Sequence, residues 1–184
     1  VLAAFAAGLA CGADPESMRE TVKNFKGVEH RIEFVSEIDG VRFYNDSKAT
    51  SVDATSKALE ALSGGEGKTV LILGGKGKNA PYEPLVSLIE SSVRTLVLIG
   101  EDADNIESQL TGHAEIIRAG TMEDAVAKGF NAAVSGDAVL LAPACASFDM
   151  FKSFEERGII FKDAVRELAE RTTPSAEAAA TPPS

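Results

Sequence analysis

An acid, an ammonium group and several hydroxyls are concentrated in one short segment, Asn45–Ser51, directly before an amphipathic helical pattern. The N-terminus of a helix presents unpaired N–H groups and the positive end of the helix dipole, which favour an anion. Capping of the helix by Asp46, Ser47 or Ser51 is the commoner use of such residues. A cap requires only one of them and does not account for Lys48. We therefore interpret the segment as a ligand site.

Two later loops have a similar character. Gly74–Asn79 follows the apolar run Thr69–Leu73, and Pro143–Asp149 follows the apolar run Ala138–Ala142. Apolar runs without alternation are typical of strands buried on both faces of a parallel sheet. Open α/β sheets bind ligands at the carboxyl ends of their strands, so all three loops are placed for binding. Four lysines lie in or beside them: Lys48, Lys76, Lys78 and Lys152.

Composition indicates a globular protein and excludes some partners. The chain has 184 residues, 45% of them hydrophobic, with 18 basic and 28 acidic residues. A net charge of −10 argues against a nucleic-acid or anionic-membrane surface. Cys11 and Cys145 are too few for a disulfide framework or a C-x-x-C zinc site, which predicts a reducing cytoplasm. Residues 1–10 are apolar but lack a basic leader, and we expect the chain to begin inside a larger protein.

The order of patterns predicts an α/β fold. Two helices open the chain, one to about Ala10 and one from Pro15 to Phe25, with Asp14 as a cap. A hairpin with an Asp39-Gly40 turn follows. Strands at 69–73, 95–99, 115–117 and 138–142 alternate with helices at 52–62, 83–91, 103–110, 121–134 and 160–171. This alternation predicts a mostly parallel, doubly wound, Rossmann-like sheet with one antiparallel hairpin strand, flanked by helices.

Two segments are similar to nucleotide-binding motifs. Gly67-Lys68-Thr69 is similar to the end of a phosphate-binding loop, but Leu62 stands where the leading glycine belongs and the motif opens a strand, so we predict an ordinary loop. Gly75–Ala80, with Glu101 about 20 residues on, fits a relaxed dinucleotide fingerprint. A nicotinamide-binding Rossmann module using Gly75, Gly77 and Glu101 is therefore the alternative function.

The cysteines and histidines carry weaker signals. Cys145 could be a nucleophile with His30 or His113 as base, but it lacks a nucleophile-elbow sequence, and a buried filler is the favoured interpretation. His30 is expected to form hydrogen bonds rather than bind a metal, and His113 to lie in a loop. A third function class, a docking domain with an acidic surface, is also open.

Four segments closely resemble the Mur ligases over about Glu29 to Leu168. They are His30–Phe34, Asn45–Thr50, Leu73–Lys78 and Pro143–Gly158. The loop Asp46–Thr50 replaces the Asp-Tyr-Ala-His type of loop found in members that add other amino acids, which favours the glutamate-adding members. The resemblance implies that residues 1–27 are the closing helices of an upstream ATPase domain and that residues 28–172 form a Mur ligase C-terminal domain. Residues 173–184 are Ala, Pro, Thr and Ser with one Glu and no periodicity, which predicts a disordered tail.

The resemblance also implies an activity. It is ATP- and Mg²⁺-dependent amide formation, in which the carboxylate of UDP-N-acetylmuramoyl-L-alanine is activated as an acyl phosphate and attacked by the amine of D-glutamate. The groups that handle phosphate and magnesium would mostly precede Val1, so the chain would hold no catalytic residue and would be inactive alone. Another amino-acid-adding Mur ligase is the neighbouring alternative.

Site residues follow from the matched motifs. Arg31 and Asp46 would contact ATP. The glutamate pocket would contain Thr50, Lys78, Ser147 and Phe148, and Lys48, Lys152 and Phe154 are expected close by. A cation and directional donors suit a dicarboxylate, and a guanidinium suits a phosphate. The alternative is a core position for Phe148 and Phe154 and a solvated position for Lys152.

Overall fold

A single six-stranded sheet organises the chain in the computed structural model, which describes residues 2–25, 27–65 and 67–172. The strand order is β1-β2-β6-β3-β4-β5. Only β1 is antiparallel to its neighbour; the other four pairings are parallel. The strands are β1 (Glu33–Ile38), β2 (Val41–Asn45), β3 (Thr69–Gly74), β4 (Val93–Ile99), β5 (Glu115–Arg118) and β6 (Ala138–Leu141). The predicted α/β class and the antiparallel hairpin strand are confirmed.

Seven α-helices accompany the sheet in the described part of the chain. They are α1 (Leu2–Ala10), α2 (Pro15–Asn24), α3 (Val52–Leu62), α4 (Val86–Ser92), α5 (Ala103–Leu110), α6 (Met122–Ala132) and α7 (Phe154–Thr172). Side chains cap several of them: Ser51 accepts from the Ala54 N–H, and Thr121 accepts from the Asp124 N–H. Not one of these helices is both long and apolar enough to cross a bilayer.

The hydrophobic core lies in two layers, one on each face of the sheet. Along β3, Leu71 and Leu73 pack with α3, α4 and α5, whereas Val70 and Ile72 pack with α6 and α7. All four side chains are fully buried. The non-alternating apolar run in the sequence is therefore explained by helices that cover both faces.

The hairpin forms as its turn residues predict. Asp39 and Gly40 both have positive φ angles, +49° and +78°, as a type I′ turn requires. β1 pairs antiparallel with β2, with a bulge between Phe34 and Ser36. β2 then pairs parallel with β6, so the hairpin places the carboxyl end of β2 beside that of β6.

Several predicted element boundaries are wrong. Helix α7 begins at Phe154, six residues before the expected start, because Ser153 Oγ accepts from the Glu156 N–H and the Glu156 carboxylate accepts from the Lys152 N–H. This is close to a capping box. Residues 83–85 form a separate 3₁₀ turn ahead of α4, and β4 begins two residues early, at Val93. The predicted disordered tail, 173–184, lies outside the described residues.

Helices α1 and α2 have no buried residue. The predicted cap of α2 is confirmed, since Asp14 Oδ2 accepts from the Ser17 N–H at 2.8 Å. Several large apolar side chains near these helices are exposed, Leu2, Leu9 and Phe25 among them. The assignment of residues 1–27 to an upstream domain remains a prediction.

A fully buried arginine, Arg157 on α7, connects the loops that follow β2 and β6. Its Nε donates to Ser47 Oγ at 2.9 Å, its Nη2 to the Ser47 carbonyl at 2.8 Å, and its Nη1 to the Cys145 carbonyl at 3.1 Å. Among the described residues no carboxylate forms a salt bridge with it. Burial lowers the pKa of Arg157 to about 10, so the guanidinium remains charged at neutral pH.

We predict that Arg157→Ala lowers the free energy of unfolding by about 3–5 kcal/mol, since each buried acceptor left without a donor costs roughly 1–3 kcal/mol. Urea denaturation of the purified chain measures this. The matched control is Arg166→Ala on the same helix, where an exposed pair with Asp163 should contribute less than about 1 kcal/mol. A loss of stability for Arg157→Ala no larger than that of the control would contradict the role.

Candidate ligand-binding site

The three loops singled out in the sequence lie side by side. They leave the carboxyl ends of β2, β6 and β3, which are neighbours in the sheet. Backbone hydrogen bonds join them: the Ala144 N–H donates to the Ala49 carbonyl at 2.9 Å, and Lys76 and Ala146 exchange two hydrogen bonds of 2.9 and 3.0 Å. The predicted convergence of the loops is therefore present, and it is built into the backbone.

Lys78 and Thr50, predicted for the glutamate pocket, are in direct contact. Lys78 Nζ donates to the Thr50 carbonyl at 2.7 Å and to Thr50 Oγ1 at 3.3 Å. The Lys78 side chain is exposed. It extends from the glycine loop to Thr50, which directly precedes Ser51, the N-cap of α3. An ammonium group at this position, next to a helix N-terminus, is suited to bind a carboxylate.

Ser147 and Phe148, which are adjacent in the chain, differ in their exposure to solvent. Ser147 is 2% exposed, and its hydroxyl makes no hydrogen bond with any residue that the structure describes. Phe148 is 70% exposed and lines a groove of about 500 Å³ together with Met150 and Lys152. Neither Phe148 nor Lys152 lines the cleft that holds Arg31 and Asp46. A core position for Phe148 is thereby ruled out, and Lys152 is solvated.

Arg31, Asp46 and Lys48 line a second cleft, of about 390 Å³, and Lys57 of α3 is also part of its wall. Three cations and one carboxylate make this cleft suited to the phosphates of a nucleotide. Asp46 is only 8% exposed. Burial raises the pKa of Asp46 to about 6, against the opposing effects of the Ile32 N–H and the Arg31 guanidinium.

The backbone beside this cleft is strained. His30 and Ile32 have φ angles of +63° and +45°, a left-handed conformation that is costly for a β-branched residue. His30 is held by Asn45, with 2.9 Å between Nδ1 and the amide nitrogen, and by an edge contact with the Phe154 ring. A Cβ on Gly158 would lie 2.3 Å from His30 Nδ1, so only glycine permits this approach.

Phe154 links the two halves of the site. Lys48 Nζ lies 4.2 Å from the centroid of the Phe154 ring, a cation–π contact. The same ring also makes an edge contact with the His30 ring. The Phe154 carbonyl also accepts from Ser47 Oγ at 2.7 Å. The prediction that Lys48 and Phe154 lie close to the site agrees with these contacts, although their part in binding stays a prediction.

Sequence reasoning missed two residues that shape the site. Asp149 Oδ2 accepts from the Glu101 N–H at 2.9 Å and so ties the loop after β6 to the loop after β4. Arg157 fixes Ser47 and Cys145. The Ser153-x-x-Glu156 pattern before Arg157 would have identified the start of α7. The sequence contains no comparable signal for Asp149.

The geometry does not favour the nicotinamide alternative. A helix N-terminus should follow the fingerprint glycines, but the first helical turn begins only at Glu83. The glycine loop is instead bridged to the loop after β6, and a Cβ on Gly77 would lie 2.4 Å from the Asp102 carboxylate. The glycines are therefore required by close packing within the protein.

The remaining candidates have structural roles. Burial raises the pKa of the Cys145 thiol to about 11, and its sulfur lies 3.0 Å from the Tyr82 hydroxyl, so it is a poor nucleophile. Glu29, His30 and Glu33 form the only metal-like cluster in the described part of the chain. Lys162 Nζ already contacts the carboxylates of Glu29 and Glu33, so its ammonium group lies where a metal ion would bind.

The raised pKa of Asp46 predicts a pH-dependent stability. A folded-state pKa of about 6, above the ordinary value of 3.8, means that ionisation destabilises the folded chain as pH rises through 6. Asp46→Asn should therefore be more stable than the parent by about 1–3 kcal/mol at pH 8, with little difference at pH 4. Urea unfolding at both pH values measures this, with Asp163→Asn as an exposed control. A difference between Asp46→Asn and the parent that is the same at both pH values would contradict it.

Comparisons with known proteins agree with this geometry. The family model described as Mur ligase, glutamate ligase domain, matches residues 30–145. The chain is 51% identical over 171 residues to the UDP-N-acetylmuramoylalanine–D-glutamate ligases of Koribacter versatilis and Acidobacterium capsulatum. These alignments cover 93% of this chain but 37% and 36% of the two relatives, so the chain spans little more than a third of their length.

Solved structures share the fold at low sequence identity. A UDP-N-acetylmuramate-alanine ligase from Thermotoga maritima superposes with a TM-score of 0.66 at 16% identity, over 91% of this chain and 37% of that one. A MurF ligase from the same organism, solved with ADP, gives 0.59 at 17% identity, over 90% and 37%. With the family model matching well over half of its residues, the chain belongs to the Mur ligase family, of which it contains the glutamate ligase domain.

Proposed function

We propose that this chain is the substrate-binding and closure domain of an ATP-dependent ligase that adds D-glutamate to UDP-N-acetylmuramoyl-L-alanine in peptidoglycan synthesis. The observation that carries the proposal is the placement of Lys78, Thr50 and Ser147 on three joined loops at one edge of the sheet. The names of the relatives that are 51% identical support the same substrate.

D-Glutamate presents two carboxylates and one amine that must stay free to attack. Lys78 supplies a charge for one carboxylate and loses little by turning from Thr50, because both of its hydrogen bonds are exposed. The hydroxyl of Ser147 needs no rearrangement, since it has no partner among the described residues. The pocket thus offers one mobile cation and one preset donor, which suits a dicarboxylate.

The nucleotide side of the proposal rests on the second cleft. Arg31 would bind a phosphate or the ribose, and Asp46 would accept from a ribose hydroxyl or from water on Mg²⁺ once ionised. ATP supplies the phosphoryl group that activates the muramoyl-alanine carboxylate. The cations Arg31, Lys48 and Lys57 around the cleft would compensate the negative charge of the nucleotide.

The partners in this proposal are ATP with Mg²⁺, D-glutamate, UDP-N-acetylmuramoyl-L-alanine and the protein's own N-terminal and central domains, in a bacterial cytoplasm. The chain alone would have no ligase activity, because the complete phosphate-binding loop expected of the family does not occur in its sequence. Its net charge of −10 gives no support to a nucleic-acid or membrane partner.

Kinetics of Lys78→Ala in the whole ligase test the proposal. Loss of a charged partner of a carboxylate in a closed site should cost on the order of 2–4 kcal/mol, seen as a KM for D-glutamate raised by roughly 30-fold or more. Ser147→Ala removes a neutral hydroxyl and should cost about 1 kcal/mol, roughly fivefold. The KM for ATP should change little in either variant.

The matched control is Lys76→Ala, an exposed lysine of the same glycine loop whose side chain makes no ion pair with the described residues. It should leave the KM for D-glutamate unchanged. An unaltered KM with normal turnover in Lys78→Ala would remove the central residue of the site. Turnover of another amino acid in preference to D-glutamate would assign the chain to a different Mur ligase.

A further inference from the structure

A cleft of about 180 Å³ lies at the opposite edge of the sheet, where β2, β3 and β6 begin. Its wall includes Arg42 and Tyr44 of β2, the loop residue Lys68 and Thr69 at the start of β3. Thr69 and Gly74 are the two ends of β3, about 17 Å apart at roughly 3.3 Å per residue. The cleft is therefore separate from the ligand-binding loops at the carboxyl ends of the strands.

Two cations in this cleft have no carboxylate partner among the described residues. Arg42 uses one N–H of its guanidinium, which donates to the Gly136 carbonyl at 3.1 Å, and four N–H groups remain. The Lys68 ammonium forms no described ion pair or hydrogen bond. None of the described residues that line the cleft is acidic.

The carboxylate of Asp137, close to the cleft, already has hydrogen-bond partners. Asp137 accepts from Arg94 Nε at 2.6 Å, from the Lys68 N–H at 2.8 Å and from the Val134 N–H at 3.0 Å. These bonds and the Arg94 charge hold the pKa of Asp137 low against the effect of its burial. Because Arg94 pairs with Asp137, this carboxylate does not pair with Arg42 or Lys68, and no other described carboxylate does.

A hydroxyl adds a neutral donor to the two cations. Thr69 is 4% exposed and lines the cleft, and no described residue is hydrogen-bonded to its Oγ1. The hydroxyl can therefore donate to an acceptor bound in the cleft. Tyr44 adds a second hydroxyl without a described partner.

From this juxtaposition we propose that the cleft of Arg42, Lys68 and Thr69 is a binding site for a compact phosphate dianion, free or as a monoester. The guanidinium and ammonium supply charge-assisted hydrogen bonds, and the threonine hydroxyl supplies a directional one. The segment Gly67-Lys68-Thr69 is thereby given a role that differs from a phosphate-binding loop, because it leads into a strand and acts with an arginine from β2, which lies on the other side of β6.

The test is a titration of the ¹⁵N-labelled chain with inorganic phosphate, followed by NMR at constant ionic strength. The amides of Lys68, Thr69 and Gly136 should shift saturably, with a Kd of about 1 mM. Arg42→Gln and Lys68→Gln should each weaken binding by roughly tenfold, and Thr69→Val by roughly threefold. Lys68→Gln is the variant least able to disturb the fold, since its side chain makes no described contact.

Arg166→Gln, on the exposed surface of α7, is the charge-matched control and should leave the Kd unchanged. A parallel titration with glycerol 3-phosphate distinguishes free phosphate from a phosphate monoester as the ligand. Tighter binding of glycerol 3-phosphate than of inorganic phosphate indicates a monoester ligand, and weaker binding indicates the free ion. The proposal is overturned if these amides show no saturable shift up to about 50 mM phosphate, or if Arg166→Gln weakens binding as much as Lys68→Gln.

Discussion

The buried guanidinium of Arg157 is the interaction on which the proposed ligand-binding edge depends. A charged group with no exposure is costly, and here the cost is offset by hydrogen bonds to one hydroxyl and two carbonyls. Those acceptors belong to the loops after β2 and β6, while the guanidinium itself belongs to α7. The three elements can therefore reach their positions only together.

Glycines allow the same elements to approach closely. A Cβ on Gly75 would lie 2.4 Å from the Ala146 carbonyl oxygen, and one on Gly158 would meet His30. The loops after β3 and β6 are thus brought within backbone contact, and helix α7 packs directly against the His30 side chain. This packing places Lys78 beside Thr50 and leaves the Ser147 hydroxyl without a partner in the described part of the chain, so the geometry of the proposed pocket follows from contacts made outside it.

Local patterns in the sequence were sufficient for most of the fold. The apolar run at Thr69–Leu73 predicted a strand covered on both faces, and Asp39-Gly40 predicted the turn of the β1–β2 hairpin. Both features depend on the burial or the backbone angles of a few adjacent residues. The start of α7 was missed although Ser153 and Glu156 carried the signal. The contacts of Arg157 and Asp149 could not be read from the sequence, since their partners lie in distant segments brought together only by the sheet order.

We propose that the three loops are held in a binding-ready arrangement before D-glutamate arrives. A crystal structure of the whole ligase with D-glutamate tests this most directly. Carboxylate oxygens are expected within hydrogen-bonding distance of Lys78 Nζ and Ser147 Oγ, with the three Arg157 hydrogen bonds unchanged. D-Glutamate bound away from both side chains, or Ser47 and Cys145 released from Arg157 in the complex, would contradict it.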